Sequence, residues 1–176
     1  MASRNPRIGV AEVLDWSRTL PRGASILDLG CGNGVPISQA LINDGFSLYG
    51  VDASAKMIAA FRKRFPGALA ECAAVEDSGF FGRTFDGVVA WGLLFLLTAE
   101  LQEILIGRIG RALNRGGTFL FTAPLEAVTW PDALTGRESV SLGREGYKEI
   151  FHRQDLTLMG ERFDEGNNHY YLVSRT

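Results

Sequence analysis

The stretch Ile26-Leu27-Asp28-Leu29-Gly30-Cys31-Gly32-Asn33-Gly34 decides the fold of this chain. It begins with an apolar run that carries an acid, and then alternates three glycines with small residues before a helical pattern starts. This order predicts a strand, a tight turn and a helix. Because glycine lets the backbone approach a ligand closely, a turn of this kind indicates a site for a nucleotide-like ligand.

Helical and strand patterns alternate along the chain on both sides of this turn. Strands are predicted at 24–29, 47–51, 68–72, 85–91 and 118–123, and helices at 8–20, 35–43, 55–65, 99–113 and 143–153. The segments 156–163 and 169–173 alternate like the two strands of a hairpin. The segment 125–142 has no clean period, and we predict a long loop there.

This order of elements predicts the fold class. Alternating strands and helices form a parallel sheet with right-handed crossovers, and the closing hairpin adds one antiparallel strand near the C-terminus. We therefore expect an α/β, doubly wound (Rossmann-like), mainly parallel seven-stranded sheet. The chain is expected to be one domain, residues 1–176, with a lead-in helix in 1–23, a core in 24–123 that carries the ligand-binding glycine turn, and a loop, helix and hairpin in 124–176.

Composition and charge exclude several classes of protein. The 176 residues are 46% hydrophobic and 22% charged, which is typical of a globular chain. A net charge of -2 argues against binding to DNA by bulk electrostatics. The two cysteines, Cys31 and Cys72, lack metal-ligand spacing, so neither a metal site nor a disulfide scaffold is expected. Without a signal peptide or a membrane-spanning apolar run, the sequence predicts a cytoplasmic protein with no membrane partner.

The spacing of the glycines separates two classes of ligand. In the dinucleotide fingerprint the third glycine would fall where Val35 stands, and this mismatch counts against a pyrophosphate ligand. Twenty positions after Gly32, Asp52 stands at the tip of the second predicted strand. A carboxylate there can accept hydrogen bonds from both ribose hydroxyls of an adenosine. The alternative is that Asp52 caps the next helix.

Four motifs in this order resemble those of the class I S-adenosylmethionine-dependent methyltransferases. Residues 26–34 resemble the first motif of that family, and residues 50–54 resemble its second-strand motif. Residues 85–94 resemble the fourth-strand motif, and residues 113–117 resemble the turn before the fifth strand. The resemblance covers residues 24–123 and implies a small-molecule methyltransferase that binds S-adenosyl-L-methionine and releases S-adenosyl-L-homocysteine.

The resemblance also implies which residues hold the cofactor. The acid and the glycines of the first turn line its methionine end, Asp52 takes the ribose, and a segment after the third strand contacts the adenine. The side-chain contact to the adenine amine stays open between Glu76 and Asp77. The implied cofactor-binding residues are Asp28, Gly30, Cys31, Gly32, Asp52, Ala53, Met57, Val75, Glu76, Ala90 and Trp91.

The acceptor site is predicted from topology, because ligands of a doubly wound sheet lie beyond the carboxyl ends of its parallel strands. The loop 126–142 and the start of the last strand are expected to converge there, near the transferred methyl group. The candidate catalytic residues are His169 and Tyr170, and the candidate substrate-binding residues are Trp91, Trp130, Tyr147 and His169. Each has a structural alternative, either as a packing aromatic or, for His169, as a hydrogen-bonded hairpin residue. Arg137 and Arg144 are candidates for holding an anionic acceptor, or are solvated surface charges.

Several acceptors are disfavoured by the residues at the end of the fourth strand. The sequence there is Ala90-Trp91-Gly92-Leu93, not the Asp- or Asn-Pro-Pro-aromatic run of enzymes that methylate the amino groups of DNA bases. Phe95 stands where the family often has a histidine, so a base is missing at that position. We expect a small-molecule acceptor with an O, N or S nucleophile, no DNA partner, and a monomer or homodimer. The alternatives are a non-catalytic cofactor-binding regulatory module and, less in keeping with the glycine spacing, an NAD-dependent oxidoreductase.

Overall fold

A computed structural model describes residues 5–176 as five α-helices, two short 3₁₀ helices (Phe80–Gly82 and Leu94–Leu96) and nine strands. The helices are α1 (Val10–Ser17), α2 (Ile37–Asn43), α3 (Ala55–Arg64), α4 (Ala99–Ala112) and α5 (Gly143–Arg153). The strands are β1 (Ser25–Leu29), β2 (Ser47–Asp52), β3 (Leu69–Cys72), β4 (Phe85–Ala90), β5 (Leu113–Thr122), β6 (Ala127–Pro131), β7 (Glu138–Leu142), β8 (Leu156–Phe163) and β9 (His169–Arg175). No helix within residues 5–176 is long and apolar enough to cross a bilayer.

Seven of the strands form one sheet in the order β3-β2-β1-β4-β5-β9-β8. The neighbours from β3 to β5 pair in parallel, and β9 pairs antiparallel with both β5 and β8. Since β8 and β5 both run opposite to β9, they run parallel to each other. The predicted seven-stranded, mainly parallel sheet with one antiparallel strand near the C-terminus is confirmed.

Alternate residues of the central strands face two apolar clusters, one on each side of the sheet. On β4, Val88 packs with the cluster that includes α4 and α5, and Val89 packs with the cluster that includes α1, α2 and α3. On β5, Phe121 packs with the first of these clusters and Leu120 with the second. All five residues of β1 are buried, as a strand between two helical layers must be. Helices therefore cover both faces, which is the predicted doubly wound arrangement.

The lead-in helix α1 is anchored to the sheet by Trp16. Its side chain is fully buried, and its Nε1 donates a hydrogen bond to Thr118 Oγ1 on β5 at 2.8 Å. The ring lies against Gly87 of β4, where an added Cβ would come within 2.8 Å of Trp16 Cζ2. The glycine thus makes room for the indole, and α1 packs across the two central strands.

The prediction of a long loop at 125–142 is wrong, because this segment contains the antiparallel ribbon β6–β7, in which Trp130 pairs with Ser139. In β7 the two buried residues are Ser139 and Ser141, and Val140 between them is half-buried. The strand β6 is almost wholly exposed. A strand whose buried face is serine shows no apolar alternation, which is why periodicity missed it. The turn between the strands is closed by Asp132, whose Oδ1 accepts from the amides at positions 134 and 135 at 2.9 and 2.7 Å.

Packing at the third glycine of the first turn gives a direct stability test. Gly34 has φ 84°, and a Cβ there would lie 2.5 Å from Phe65 Cε2, whereas Gly23 has φ 69° and nothing within 4 Å of an added Cβ. Both alanine variants carry backbone strain, but only Gly34→Ala also overpacks the core. We expect urea unfolding to show a loss of about 1 kcal/mol for Gly23→Ala and about 3 kcal/mol for Gly34→Ala. Equal losses would contradict the close packing of this turn.

Candidate functional site

The candidate site lies where the parallel strands β1, β2, β4 and β5 end at one edge of the sheet. Ligands of doubly wound sheets bind at this edge, because the turns that leave the carboxyl ends diverge and open a crevice there. The glycine turn 30–34 comes after β1, Asp52 ends β2, and residues 91–93 come after β4. This part of the molecule corresponds to the cofactor-binding half of the predicted site.

The glycine turn is tied to the end of β2 by backbone hydrogen bonds. The amides of Gly30 and Cys31 both donate to Val51 O, at 2.8 and 3.1 Å. Gly32 has φ 56°, and a Cβ added there would meet nothing within 4 Å. Its open side therefore leaves bare backbone for a ligand to approach, while the neighbouring Gly34 is pressed against aromatic rings.

Asp52 holds the turn through its side chain. Its Oδ2 accepts from the Gly32 amide at 2.9 Å, and its Oδ1 accepts from the Ser54 amide at 2.8 Å. The N-cap of α3 is Ser54 rather than Asp52, since Ser54 Oγ accepts from the Met57 amide. Each carboxylate oxygen can accept a further hydrogen bond, because each has two lone pairs and uses one. Asp52 therefore braces the turn and keeps acceptor capacity for a ligand with two neighbouring hydroxyls.

Asp28 lies inside the fold, on the strand that leads into the glycine turn. Its side chain is buried, and Ser38 Oγ on α2 donates to its Oδ2 at 2.6 Å. Burial raises the pKa of Asp28 to about 7, the Ser38 hydrogen bond lowers it in part, and the nearby charge of Asp52 raises it further. The carboxyl thus titrates near neutral pH, well above the usual range of an aspartic acid.

Cys31 is a packing residue within the same turn. Its thiol lies against Gly50, where an added Cβ would come within 2.7 Å of Cys31 Sγ. Burial, together with the charges of Asp28 and Asp52, raises the pKa of the Cys31 thiol. A thiol held in its protonated form is a weak nucleophile, so Cys31 contributes shape rather than chemistry.

The remaining predicted cofactor residues differ in exposure. Ala53 and Met57 are exposed beside the tip of β2, Glu76 is exposed, and Val75 is buried. Arg108 on α4, which sequence reasoning missed, donates from Nη1 to the carbonyls of Val75 and Glu76 at 3.1 and 2.8 Å. Arg108 therefore braces the segment predicted to contact adenine. Its position in the middle of a helix carries no sequence signal for this role.

Trp91 and Tyr170 meet at the end of β4. Trp91 Nε1 donates to Tyr170 Oη at 2.7 Å, and Tyr170 Oη donates to Asp164 Oδ2 at 2.7 Å. Tyr170 is buried, and burial together with the hydrogen bond to Asp164 raises its pKa. Its hydroxyl is committed to this chain of hydrogen bonds, so the structure contradicts the prediction that Tyr170 is a catalytic residue. Ala90, directly before Trp91, is buried in the sheet.

A cavity of about 240 Å³ lies next to this edge, beyond the end of β5. It joins the start of the β6–β7 ribbon to the turn between β8 and β9, as predicted for the loop 126–142 and the start of the last strand. Of the predicted acceptor residues it brings together Trp130 and His169, and it does not include Trp91, Tyr147 or Tyr170. The residues that line it are Phe95, Thr122, Ala123, Pro124, Leu125, Glu126, Trp130, Phe163, Asn167, Asn168 and His169.

Both ring nitrogens of His169 face oxygen atoms. Nδ1 lies 3.2 Å from Ala123 O, and Nε2 lies 3.2 Å from Glu161 Oε1. Glu161 in turn accepts from Arg144 Nε at 2.8 Å, so Arg144 is an ion-pair partner rather than a free cation. Each nitrogen lies against a protein oxygen and the side chain is only 3% exposed, so neither nitrogen is open to a substrate proton. The structure therefore places His169 as a wall of the cavity, and this arrangement does not support its predicted role as a base.

Tyr147 lies in the core and not at the cavity. It is fully buried, its hydroxyl donates to Gln102 Oε1 at 2.6 Å, and its ring packs edge-on against Phe121. Burial raises the pKa of Tyr147 to about 12. The prediction of Tyr147 as a substrate-binding residue is wrong, because its face of α5 packs against the core of the sheet and does not line the cavity. Sequence reasoning also missed Phe163, an exposed ring whose strand pattern resembled ordinary surface.

The raised pKa of Asp28 predicts a pH dependence of stability. Between about pH 4 and pH 7 the folded protein retains a proton that the unfolded chain has released, so the free energy of unfolding falls as pH rises. From pH 5 to pH 7 we expect the free energy of unfolding of the parent to fall by about 2 kcal/mol more than that of Asp28→Asn. Urea unfolding at the two pH values measures this difference. Asp15→Asn, on the exposed side of α1, is the matched control and should follow the parent. An unchanged slope in Asp28→Asn would remove this assignment.

Comparisons with known proteins agree with this geometry. A family model described as a methyltransferase domain matches residues 26–117, just over half of the chain. A comparison of the chain with curated proteins found no match. Among solved structures, an S-adenosylmethionine-dependent methyltransferase from Clostridium acetobutylicum ATCC 824 superposes with a TM-score of 0.78 at 13% identity, covering 98% of this chain and 93% of that chain.

Two further structures show the same fold. The CcbJ methyltransferase from Streptomyces caelestis gives a TM-score of 0.77 at 17% identity, covering 99% of this chain and 98% of that chain. CalS10 from Micromonospora echinaspora, an amino pentose methyltransferase solved with S-adenosylmethionine bound, gives 0.73 at 18% identity, covering 95% and 90%. The chain therefore belongs to the methyltransferase-domain family, as its resemblance to the class I S-adenosylmethionine-dependent methyltransferases predicted, and it shares the fold of a methyltransferase solved with S-adenosylmethionine bound.

Proposed function

We propose that this methyltransferase moves a methyl group to an O, N or S nucleophile of a small molecule bound in the cavity beyond β5. The observation that carries this proposal is the contact between the two halves of the site. Thr122 lines the cavity, and its Oγ1 accepts from the Gly92 amide, at the end of β4, at 2.7 Å. An acceptor in the cavity would therefore lie beside the strand ends that face the cofactor.

The residues of the glycine turn fit S-adenosylmethionine. The open backbone at Gly32 admits close approach, and the spare acceptor capacity of Asp52 suits the two ribose hydroxyls. Met57 is exposed on the first turn of α3, which follows Asp52 in the chain, and offers an apolar surface for the adenine. When bound, the cofactor supplies a methyl group already activated on a positive sulfonium.

The protein's own part in the reaction is orientation and exclusion of water. The polar atoms of His169 and Tyr170 are committed to protein partners, so neither residue supplies a free base. Holding a nucleophile in line with the methyl group can by itself provide much of the rate, because the reaction becomes effectively unimolecular. This supports an acceptor whose nucleophile is unprotonated at working pH, since such a group needs no general base.

Replacing Asp52 tests the cofactor site. We expect Asp52→Ala to weaken the binding of S-adenosylhomocysteine at least tenfold, about 1.4 kcal/mol, because the ribose hydroxyls lose their acceptor. Isothermal titration calorimetry measures this directly. Asp44→Ala, at the end of α2 away from the turn, is the matched control. Because Asp52 also holds two amides, circular dichroism must first show that the variant is folded, and unchanged affinity in a folded variant would exclude the ribose assignment.

Replacing Trp130 tests the acceptor site. Trp130→Ala is expected to lower kcat/KM for methyl transfer about tenfold while leaving the affinity for S-adenosylhomocysteine unchanged, because the ring lines the cavity and lies outside the glycine turn. The assay follows transfer of a labelled methyl group to a panel of small alcohols, amines and thiols. Cofactor binding without transfer to any of them would instead favour a non-catalytic regulatory module.

A further inference from the structure

The cavity beyond β5 is walled by aromatic rings. Phe95 and Trp130 form one pair, with ring centroids 5.5 Å apart and planes tilted by 43°. Phe163 and His169 form a second pair, with centroids 4.9 Å apart and planes tilted by 56°. Rings set at an angle present their faces to different sides of a ligand, as the walls of a cage do. A π-face carries partial negative charge and attracts a cation that has been removed from water.

One carboxylate completes the lining of this cavity. Glu126 lines it, and it makes no ion pair with any residue from 5 to 176. Within the same part of the chain no lysine or arginine lines the cavity. Glu161 lies behind His169 and is compensated by Arg144, so that group adds little net charge. The balance of the lining is therefore negative, and it disfavours an anionic acceptor.

We propose that the acceptor carries an alkylammonium group, which binds between the Phe95–Trp130 and Phe163–His169 ring pairs with Glu126 as its counter-charge. This inference rests on the proposed function, since it describes the acceptor of the same site. A cavity of about 240 Å³ is smaller than the usual pocket for a whole drug-sized ligand and suits a compact head group. A neutral aromatic acceptor would use the same rings but would gain nothing from Glu126.

Choline and 3,3-dimethyl-1-butanol separate these two occupants, because they share size and shape but only choline is charged. Their binding is measured by calorimetry with and without S-adenosylhomocysteine. We expect choline to bind at least tenfold more tightly than the alcohol. Glu126→Gln should weaken choline binding about fivefold and leave the alcohol unaffected, and Trp130→Leu should weaken choline binding about tenfold. Glu138→Gln, an exposed carboxylate on β7 outside the cavity, is the matched control and should bind choline as the parent does.

The outcomes distinguish this inference from the proposed function. Equal binding of the two probes, or no effect of Glu126→Gln in a folded variant, overturns the ammonium site and leaves cofactor binding intact. Failure of S-adenosylhomocysteine to bind overturns the proposed function, while the comparison of the two probes still decides the chemistry of the cavity. Thermal unfolding of each variant shows whether a loss of binding is a loss of fold.

Discussion

The hydrogen bonds that join the glycine turn to the tip of β2 are the constraint on which the cofactor half of the site depends. Two amides of the turn share Val51 O, and Gly32 donates to the carboxylate of Asp52. These bonds fix the path of the backbone after β1. At Gly32 no side chain blocks the approach of a ligand to this backbone. Because the register Leu29–Val51 sets the two strand ends level, Asp52 arrives beside the turn as a direct result of sheet pairing. The geometry of the cofactor site is thus a property of the main chain.

The acceptor half is built differently, from side chains on elements attached to that frame. The β6–β7 ribbon is a separate two-stranded sheet that contributes Trp130. The turn between β8 and β9 is held by Asp164, which accepts from the amides of Gly166 and Asn168 and from Tyr170 Oη. Tyr170 in turn accepts from Trp91 at the end of β4, so the turn is tied back to the parallel strands. A buried network with its members satisfied fixes one arrangement of these elements.

The sequence predicted the glycine turn and the parallel strands well, because the residues that determine these features can be recognised in the sequence itself. Glycine spacing marked the turn, and runs of buried apolar residues marked β1 and β4. The ribbon was missed because its buried face is serine, and Tyr147 was misplaced because helical spacing does not say which neighbour a side chain meets. His169 and Tyr170 were predicted at the right end of the sheet, but the partners of His169, Ala123 and Glu161, come from other elements. Such partners have no local pattern from which to predict them.

Asp28 shows how stability and binding oppose each other at this site. Its carboxyl is buried with Ser38 as its hydrogen-bond donor, and no lysine or arginine from residue 5 to residue 176 forms an ion pair with it. Burial therefore favours the neutral acid in the protein alone. A positive charge bound at the neighbouring turn favours the ionised form instead, because opposite charges in a poorly solvated region attract strongly. The carboxyl whose burial lowers the stability of the fold as pH rises from about 4 to 7 thus favours a cationic ligand when it is ionised.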